Sequence, residues 1–343
     1  MTQSYAPDAA DAFALSQLMF PTVPQCISVV AQHGIADVLA DARLSVDELA
    51  ERTGTDPVIL GKVLRLLVED GVFREIEPDV FENSRLSHLL RRDYPRSQYA
   101  MARLVGSEWL WSAWSRLGGQ LDTGRPGFEL AYDMTLWQYL AQHPEAGTIF
   151  NGAMNSFSEA LSDQVALSYP EFAQSGVVAD LGGGTGTYLG AILRAYPTIR
   201  HGVLVDLGPV VEQARCRPGL ADLLSTDRMR LQGADFFESV PSGVDTYVVK
   251  QVMHSWDDAN VVRLLRQCRA ASPAARFVAA EFVRDDKTSR FVKNFDLVMS
   301  VTMNGNVRSQ AQYADVFLTG GYQLTRVVPT DTAFSLIEGQ PLP

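Results

Sequence analysis

VVADLGGGTG, residues Val177 to Gly186, decides how the chain is to be read. Val177, Val178 and Ala179 are apolar residues suited to a buried strand of a parallel sheet. They lead into Asp180 and then into glycines at alternate positions, Gly182, Gly184 and Gly186. Glycine lets the backbone turn sharply and approach a ligand with no Cβ in the way. The dinucleotide spacing G-x-G-x-x-G fits poorly, because counting from Gly182 puts Thr187 at the third place. Asp180, just ahead of the glycines, would repel a phosphate and tolerate an ammonium or sulfonium group. The loop therefore favours S-adenosyl-L-methionine over NAD. A glycine turn with no ligand is the plain alternative, and the neighbouring segments separate the two.

The next apolar segment, HGVLVDL at 201–207, ends in Asp206 and Leu207. An acid at this offset can take the two ribose hydroxyls of an adenosyl group. MRLQGADFF (229–237) ends in Asp235, Phe236 and Phe237, VDTYVVKQVMH (244–254) ends in His254, and ARFVAAEFV (275–283) carries Glu281. Helical patterns at 188–196 and 259–271 lie between them, so the region reads as strands and helices alternating around a parallel sheet. Ligands gather at the carboxyl ends of such strands. Asp206, Asp235, His254 and Glu281 are expected together at that edge.

The 343 residues, 46% hydrophobic and 20% charged, predict two domains. Cys26, Cys216 and Cys268 show no metal-ligand or redox spacing, which suits a reduced cytoplasm. The segment MTQSYAPDAADAF carries acids where a secretory leader would carry Lys or Arg, and no apolar run approaches ~18 residues. A cytoplasmic protein without a membrane partner is expected. The net charge of −11 opposes general attraction to nucleic acid or anionic lipid. No His/Asp/Glu cluster has ligand spacing, so no metal is expected.

SVDELAERTGTDPVILGKVLRLLVEDGVFREIEPDVFENS (45–84) predicts a capping box at Ser45 and Glu48, a helix ending near Gly54, and a second helix capped by Asp56 with Pro57 at its first position. Gly71 ends that helix, and two short strands follow around Glu77, Pro78 and Asp79. Helix, turn, helix and hairpin is the order of a winged helix. Residues 1–100 hold nine Lys and Arg against fifteen Asp and Glu. A DNA reader needs several phosphate contacts, so the module is expected to be structural and to bind no nucleic acid. Ahead of it, the apolar stretch 13–40 needs a partner, either the rest of the chain or a second subunit. Residues 101–172 read as helices rich in large side chains, most of them core, with 129–161 placed to form a lid over a flat apolar substrate. The expected boundaries are 1–100, 101–172 and 173–343.

The chain resembles the plant-type, or caffeate-type, small-molecule O-methyltransferases in their bacterial natural-product branch. Beside the winged-helix module, the likeness rests on IFNGAM at 149–154, DLGGGTG at 180–186, VDLGPVVEQA at 205–214, GADFF at 233–237, KQVMHSWDD at 250–258 and NVRSQAQYADVFLTGGY at 306–322. The resemblance implies an α/β fold: a Rossmann-like S-adenosylmethionine methyltransferase domain with an N-terminal α-helical winged-helix dimerisation domain, hence a homodimer. It implies that Asp180, Gly182 and Gly184 face the methionine part of the cofactor and that Asp206 and Leu207 face its ribose. Asp235 and Phe236 would flank the adenine, with Lys250 nearby. His254 matches the general base and Glu281 the first of two acids that orient it. Phe150, Met154, Trp256, Met303 and Asn304 are implied on the substrate side, which takes an aromatic small molecule.

One departure stands out. Val307 occupies the place where plant members have the second orienting acid, so the imidazole is expected to depend on Glu281 alone or on an unplaced acid. That leaves room for the family's non-methylating reactions, such as hydroxylation, decarboxylation or ring closure. His33, His88, His143 and His201 are expected in surface or cap roles, Asp257 and Asp258 as caps, and Arg308 as a structural ion-pair partner without chemistry.

Overall fold

Ser45 and Glu48 close the expected capping box: the Ser45 hydroxyl accepts the Glu48 N–H at 3.3 Å, and the Glu48 carboxylate accepts the Ser45 N–H at 2.8 Å. The helix Val46–Thr53 starts there and ends at Gly54, in the left-handed cap conformation. Asp56 caps the helix Pro57–Glu69 by accepting the Ile59 N–H. Strands β1 (Leu44–Ser45), β2 (Phe73–Glu77) and β3 (Val80–Asn83) pair antiparallel in the order β1-β3-β2. Asp79 turns the hairpin at φ 62°, its N–H held by the Glu75 carboxylate at 2.8 Å. Leu49, Leu64, Leu67, Phe73 and Phe81 are buried together, which completes the winged helix.

The structure is a computed structural model that describes residues 8–343; the first seven, part of the segment read against a leader, lie outside the described residues. One unit runs through Trp111 and takes in Pro144–Ser156; the other comprises Ser112–His143 and Phe157–Pro343. Residues 101–172 are thus shared between two units, and the helix Pro144–Leu167 contributes to both. The stretch Ala9–Gln32 is more apolar than the sequence reading allowed, with the length and mean hydropathy (1.3) of a membrane span. It is broken between Leu18 and Thr22 into two helices, and the first, Ala9–Leu18, buries none of its residues.

The second unit is built on a seven-stranded sheet. Its strands are β4 (Val177–Leu181), β5 (His201–Asp206), β6 (Met229–Gly233), β7 (Thr246–Lys250), β8 (Arg276–Glu281), β9 (Tyr322–Pro329) and β10 (Ser335–Pro341). They lie in the order β6-β5-β4-β7-β8-β10-β9. β4 to β8 are parallel, as expected, and β10 inserts antiparallel between β8 and β9. Alternate residues feed two cores: Val178, Leu204, Val248 and Val278 on one face, Ala179, Val205, Val249 and Ala279 on the other. Every residue of β4 is buried, Asp180 included, which is why Val177, Val178 and Ala179 are apolar without alternation. The chain leaves β4 for β5 and β6 on one side, then crosses back to β7 and β8 on the other. That reversal opens a crevice at the carboxyl ends of β4 and β7.

Candidate active site

Beyond β4 the chain turns through Gly182 (φ 69°), Gly184 (φ 60°) and Gly186 (φ 80°), all in the left-handed region that favours glycine. A Cβ on Gly184 would meet nothing within 4 Å, so this part of the loop faces open space. A Cβ on Gly182 would lie 2.9 Å from Val252 and 3.3 Å from Phe236. Gly183, which the alternate-glycine reading passed over, is more tightly enclosed: its Cβ would lie 2.4 Å from Leu204 and 2.5 Å from the Asp180 carboxylate.

Asp206 ends β5 and ties the loop to it. Its Oδ2 accepts the Gly184 N–H at 2.8 Å and its Oδ1 the Leu207 N–H at 2.7 Å. Burial raises its pKa, and these two N–H groups oppose the rise. Beyond β6, Asp235 accepts the Phe237 N–H at 2.8 Å, and the Phe236 and Phe237 rings lie 4.7 Å apart. Trp256 meets Phe237 edge-on at 4.8 Å and stacks on Trp137 at 6.2 Å. Trp256, implied on the substrate side, thus packs on Phe237, the neighbour of the Phe236 implied at the adenine.

Asp180 is fully buried, and among the described residues neither carboxylate oxygen has a hydrogen-bond partner. Burial pushes its pKa up to about 7, Lys250 opposing and Asp206 adding to the shift. Lys250 is also buried, and burial brings its ammonium down to about 8 against the pull of Asp180 and Glu281. Its Nζ donates to Gln251 at 3.2 Å and lies over the Tyr188 and Phe334 rings. Strand alternation puts it on the opposite face of the sheet from Val249 and Phe236.

β7 ends at Lys250, four residues short of His254, the end expected of that segment. Gln251 takes φ 60°, and Met253–Ser255 forms a single 3₁₀ turn. Glu281, the last residue of β8, holds this turn: Oε1 accepts the Val252 and Met253 N–H groups at 2.8 and 2.7 Å, and Oε2 lies 2.6 Å from His254 Nδ1. Both side chains are buried. A carboxylate only accepts, so in the neutral imidazole Nδ1 is the protonated nitrogen and Nε2 the acceptor. The Phe295 ring stands at 85° to the imidazole, 4.9 Å away. The sequence reading missed it, since one aromatic in the helix Arg290–Thr302 carries no signal of its own.

Met303 is buried and Asn304 exposed just after that helix. The Val307 side chain is buried, and its N–H donates to Asp296 Oδ1 at 2.6 Å. Among the described residues, Glu281 is the acid bonded to the His254 ring. Asp257 caps the helix Asp258–Ala271 as expected, whereas Asp258 accepts from Arg308 Nε at 2.8 Å. Phe150 and Met154 belong to the first unit.

Residues 114–323 match the O-methyltransferase domain, and residues 13–93 match the O-methyltransferase dimerisation domain. The chain belongs to the O-methyltransferase family. Among relatives of this O-methyltransferase, the phenazine O-methyltransferase PhzM of Lysobacter antibioticus is 36% identical, over 93% of each chain. The 8-amino-8-demethylriboflavin N,N-dimethyltransferase of Streptomyces davaonensis is 34% identical over 90% of this chain and 89% of its own. The crystal structure of LaPhzM superposes with a TM-score of 0.90 at 34% identity, covering 98% and 100% of the two chains. CalO1, a methyltransferase of calicheamicin biosynthesis with SAH bound, gives 0.84 at 31% over the same shares. The O-methyltransferase is S-adenosyl-L-methionine-dependent, and its dimerisation domain indicates a homodimer. The crevice fits that cofactor: Gly184 leaves open space, and Asp206 offers a carboxylate fixed by two backbone N–H groups.

Proposed function

We propose that this enzyme methylates a hydroxyl of an aromatic natural product, with His254 as the general base. The observation that carries the reading is the grip of Glu281 on Nδ1, which leaves Nε2 as the acceptor in a buried turn beside the cofactor crevice. A phenol has a pKa near ~10, so only about one molecule in a thousand is ionised at neutral pH. His254 Nε2 takes that proton as the oxygen attacks, and Glu281 stabilises the imidazolium that results. Such a base contributes about 10²- to 10⁴-fold. When bound, S-adenosyl-L-methionine supplies a methyl group already activated on a sulfonium. The rest is alignment, for which holding two reactants in line provides roughly 7–11 kcal/mol.

We assign Asp180, Gly182 and Gly184 to the methionine side of the cofactor, Asp206 and Leu207 to its ribose, and Asp235 and Phe236 to its adenine. Lys250 acts on that site through the field it exerts on Asp180. Phe150, Met154, Trp256, Met303 and Asn304 are assigned to the aromatic substrate, and Phe295 joins them through its contact with the imidazole. The exposed Phe13, Leu15 and Leu18 on the first helix are the apolar surface offered to the second subunit. The free cysteines support a cytoplasmic enzyme.

The name of the riboflavin relative puts transfer to nitrogen beside this reading. An aromatic amine attacks with its lone pair and sheds its proton afterwards, so it has less need of a base fixed in one tautomer. Incubation with S-adenosyl-L-methionine and a panel of hydroxylated and aminated phenazines and naphthoates tests the proposal, with products read by mass spectrometry. A gain of one methyl on oxygen supports it. A product changed in any other way supports a non-methylating reaction, and undiminished O-methylation by His254→Ala removes the base.

A further inference from the structure

Arg308 is fully buried and directs its guanidinium at the turn that carries His254. Nη1 donates to the Met253 carbonyl at 2.7 Å and Nη2 to the Trp256 carbonyl at 2.7 Å. Nε donates to Asp258 at 2.8 Å, across the start of the next helix. Glu281 meets the same turn from its other end, through the Val252 and Met253 N–H groups. A 3₁₀ turn of three residues has few bonds of its own, so its shape depends on what holds its N–H and C=O groups. Here a carboxylate takes the N–H groups at the start, and a guanidinium serves the carbonyls on either side of His254.

The segment leading to Arg308 closes the remaining side. A Cβ on Gly305 would lie 2.0 Å from the His254 carbonyl oxygen, so the backbone at 305 lies directly against the base. Val307 brings no acid to the imidazole, and its N–H is tied to Asp296. Among the described residues the ring thus has one acidic partner, Glu281, and the further restraint falls on the backbone beneath it. The planar fork of Arg308 suits this role, because it spans two carbonyls and one carboxylate in a fixed geometry that Lys cannot reproduce.

We infer that Arg308 is a positioning residue for His254, fixing the Met253–Trp256 turn so that Nε2 points at the substrate oxygen. The inference rests on the general-base reading, and its test separates the two. Arg308→Lys keeps the charge and loses the fork. Asp258→Asn weakens the anchor on Nε, at a largely solvent-exposed side chain, and guards against a misfolded Arg308 variant. Three quantities are measured on the full chain: S-adenosylhomocysteine binding by calorimetry, hydrogen exchange of the peptide spanning 252–256, and the His254 Nδ1 proton by NMR.

Arg308→Lys is expected to raise exchange in this peptide at least tenfold and to broaden the Nδ1 proton. The Kd for S-adenosylhomocysteine should change less than threefold, and Asp258→Asn should show the same pattern more weakly. With a phenol that turns over, kcat falls by about a hundredfold while KM holds, as expected for a base displaced by about 1 Å. A folded Arg308→Lys protein with unchanged exchange and an unchanged Nδ1 proton overturns the inference. So does a loosening of cofactor binding as large as that of the turn, which marks Arg308 as general scaffold. If His254→Ala keeps full activity while Arg308→Lys loosens the turn, the general-base reading fails and the positioning stands.

Discussion

One carboxylate serves two purposes in the relationship between Glu281 and His254: Oε2 lies 2.6 Å from Nδ1 of the imidazole, while Oε1 holds the N–H groups of Val252 and Met253. The atoms that fix the tautomer also fix the turn. Glu281→Gln divides those functions. The amide oxygen can keep the two backbone bonds, and the NH₂ then faces Nδ1 and demands a lone pair from it. The proton moves to Nε2, where it blocks the base. We expect kcat to fall by about 10²-fold or more with cofactor affinity nearly unchanged, by analogy with other misassigned catalytic imidazoles. Steady-state kinetics with calorimetry of S-adenosylhomocysteine binding check it; an unaltered kcat refutes it.

Asp206 is expected to act on affinity. Its carboxylate is anchored by Gly184 and Leu207 and assigned to the ribose. Each hydrogen bond to a charged group is worth about 1.5–3 kcal/mol. Asp206→Ala should therefore weaken S-adenosylhomocysteine binding by about 10²-fold or more, and it should also loosen the loop at Gly184. A Kd within twofold of wild type rules out the ribose assignment.

The loop glycines should separate by stability. Ala at Gly184 meets open space and bears only the strain of a positive φ, about 1–2 kcal/mol. Ala at Gly183 collides with Leu204 and the buried Asp180, an overpacking that typically costs about 1–3 kcal/mol and disturbs the acid as well. Thermal melts without cofactor should rank Gly183→Ala below Gly184→Ala. The reverse order would show that conformation, and not space, rules this loop.

Asp180 gives a pH dependence with a definite sign. Its carboxyl titrates near 3.8 when unfolded and near 7 in the native chain. Between those values the folded protein holds a proton that the unfolded chain has released. The contribution of this group to stability is therefore greatest below about pH 4 and is lost as pH rises toward 7. Asp180→Asn cannot ionise. Wild type should lose melting temperature relative to Asp180→Asn between pH 5 and pH 8, and a constant gap across that range excludes the raised pKa.

Much of this protein was legible from local chemistry. Ser45 with Glu48, Asp56 with Pro57, and the unalternating apolar run of β4 act within a few residues, so they read correctly as caps and a buried strand. The order of strands and acids along the chain was enough to place Asp206 and Glu281 at strand ends. Other features depend on residues far apart in sequence. β10 takes its place between β8 and β9 through pairing that its own sequence does not encode, and Trp256 packs against Phe237 because of where their strands end. Gly183 is crowded by Leu204 from the neighbouring strand, a contact that glycine spacing cannot reveal.

The sequence by itself determined the caps of the first helices, the glycine turn after β4 and the strand ends that carry Asp206 and Glu281, because capping, glycine conformation and strand patterning act within a few residues. The tertiary structure decided how His254 is held. His254 reads as an isolated histidine after a strand, and its tautomer depends on Glu281, 27 residues away, meeting it at 2.6 Å. Its turn depends on Arg308, more than fifty residues on, reaching the Met253 and Trp256 carbonyls. Hydrogen bonds act over about 3 Å, so only the fold, which brings distant segments within that range, could assign these partners.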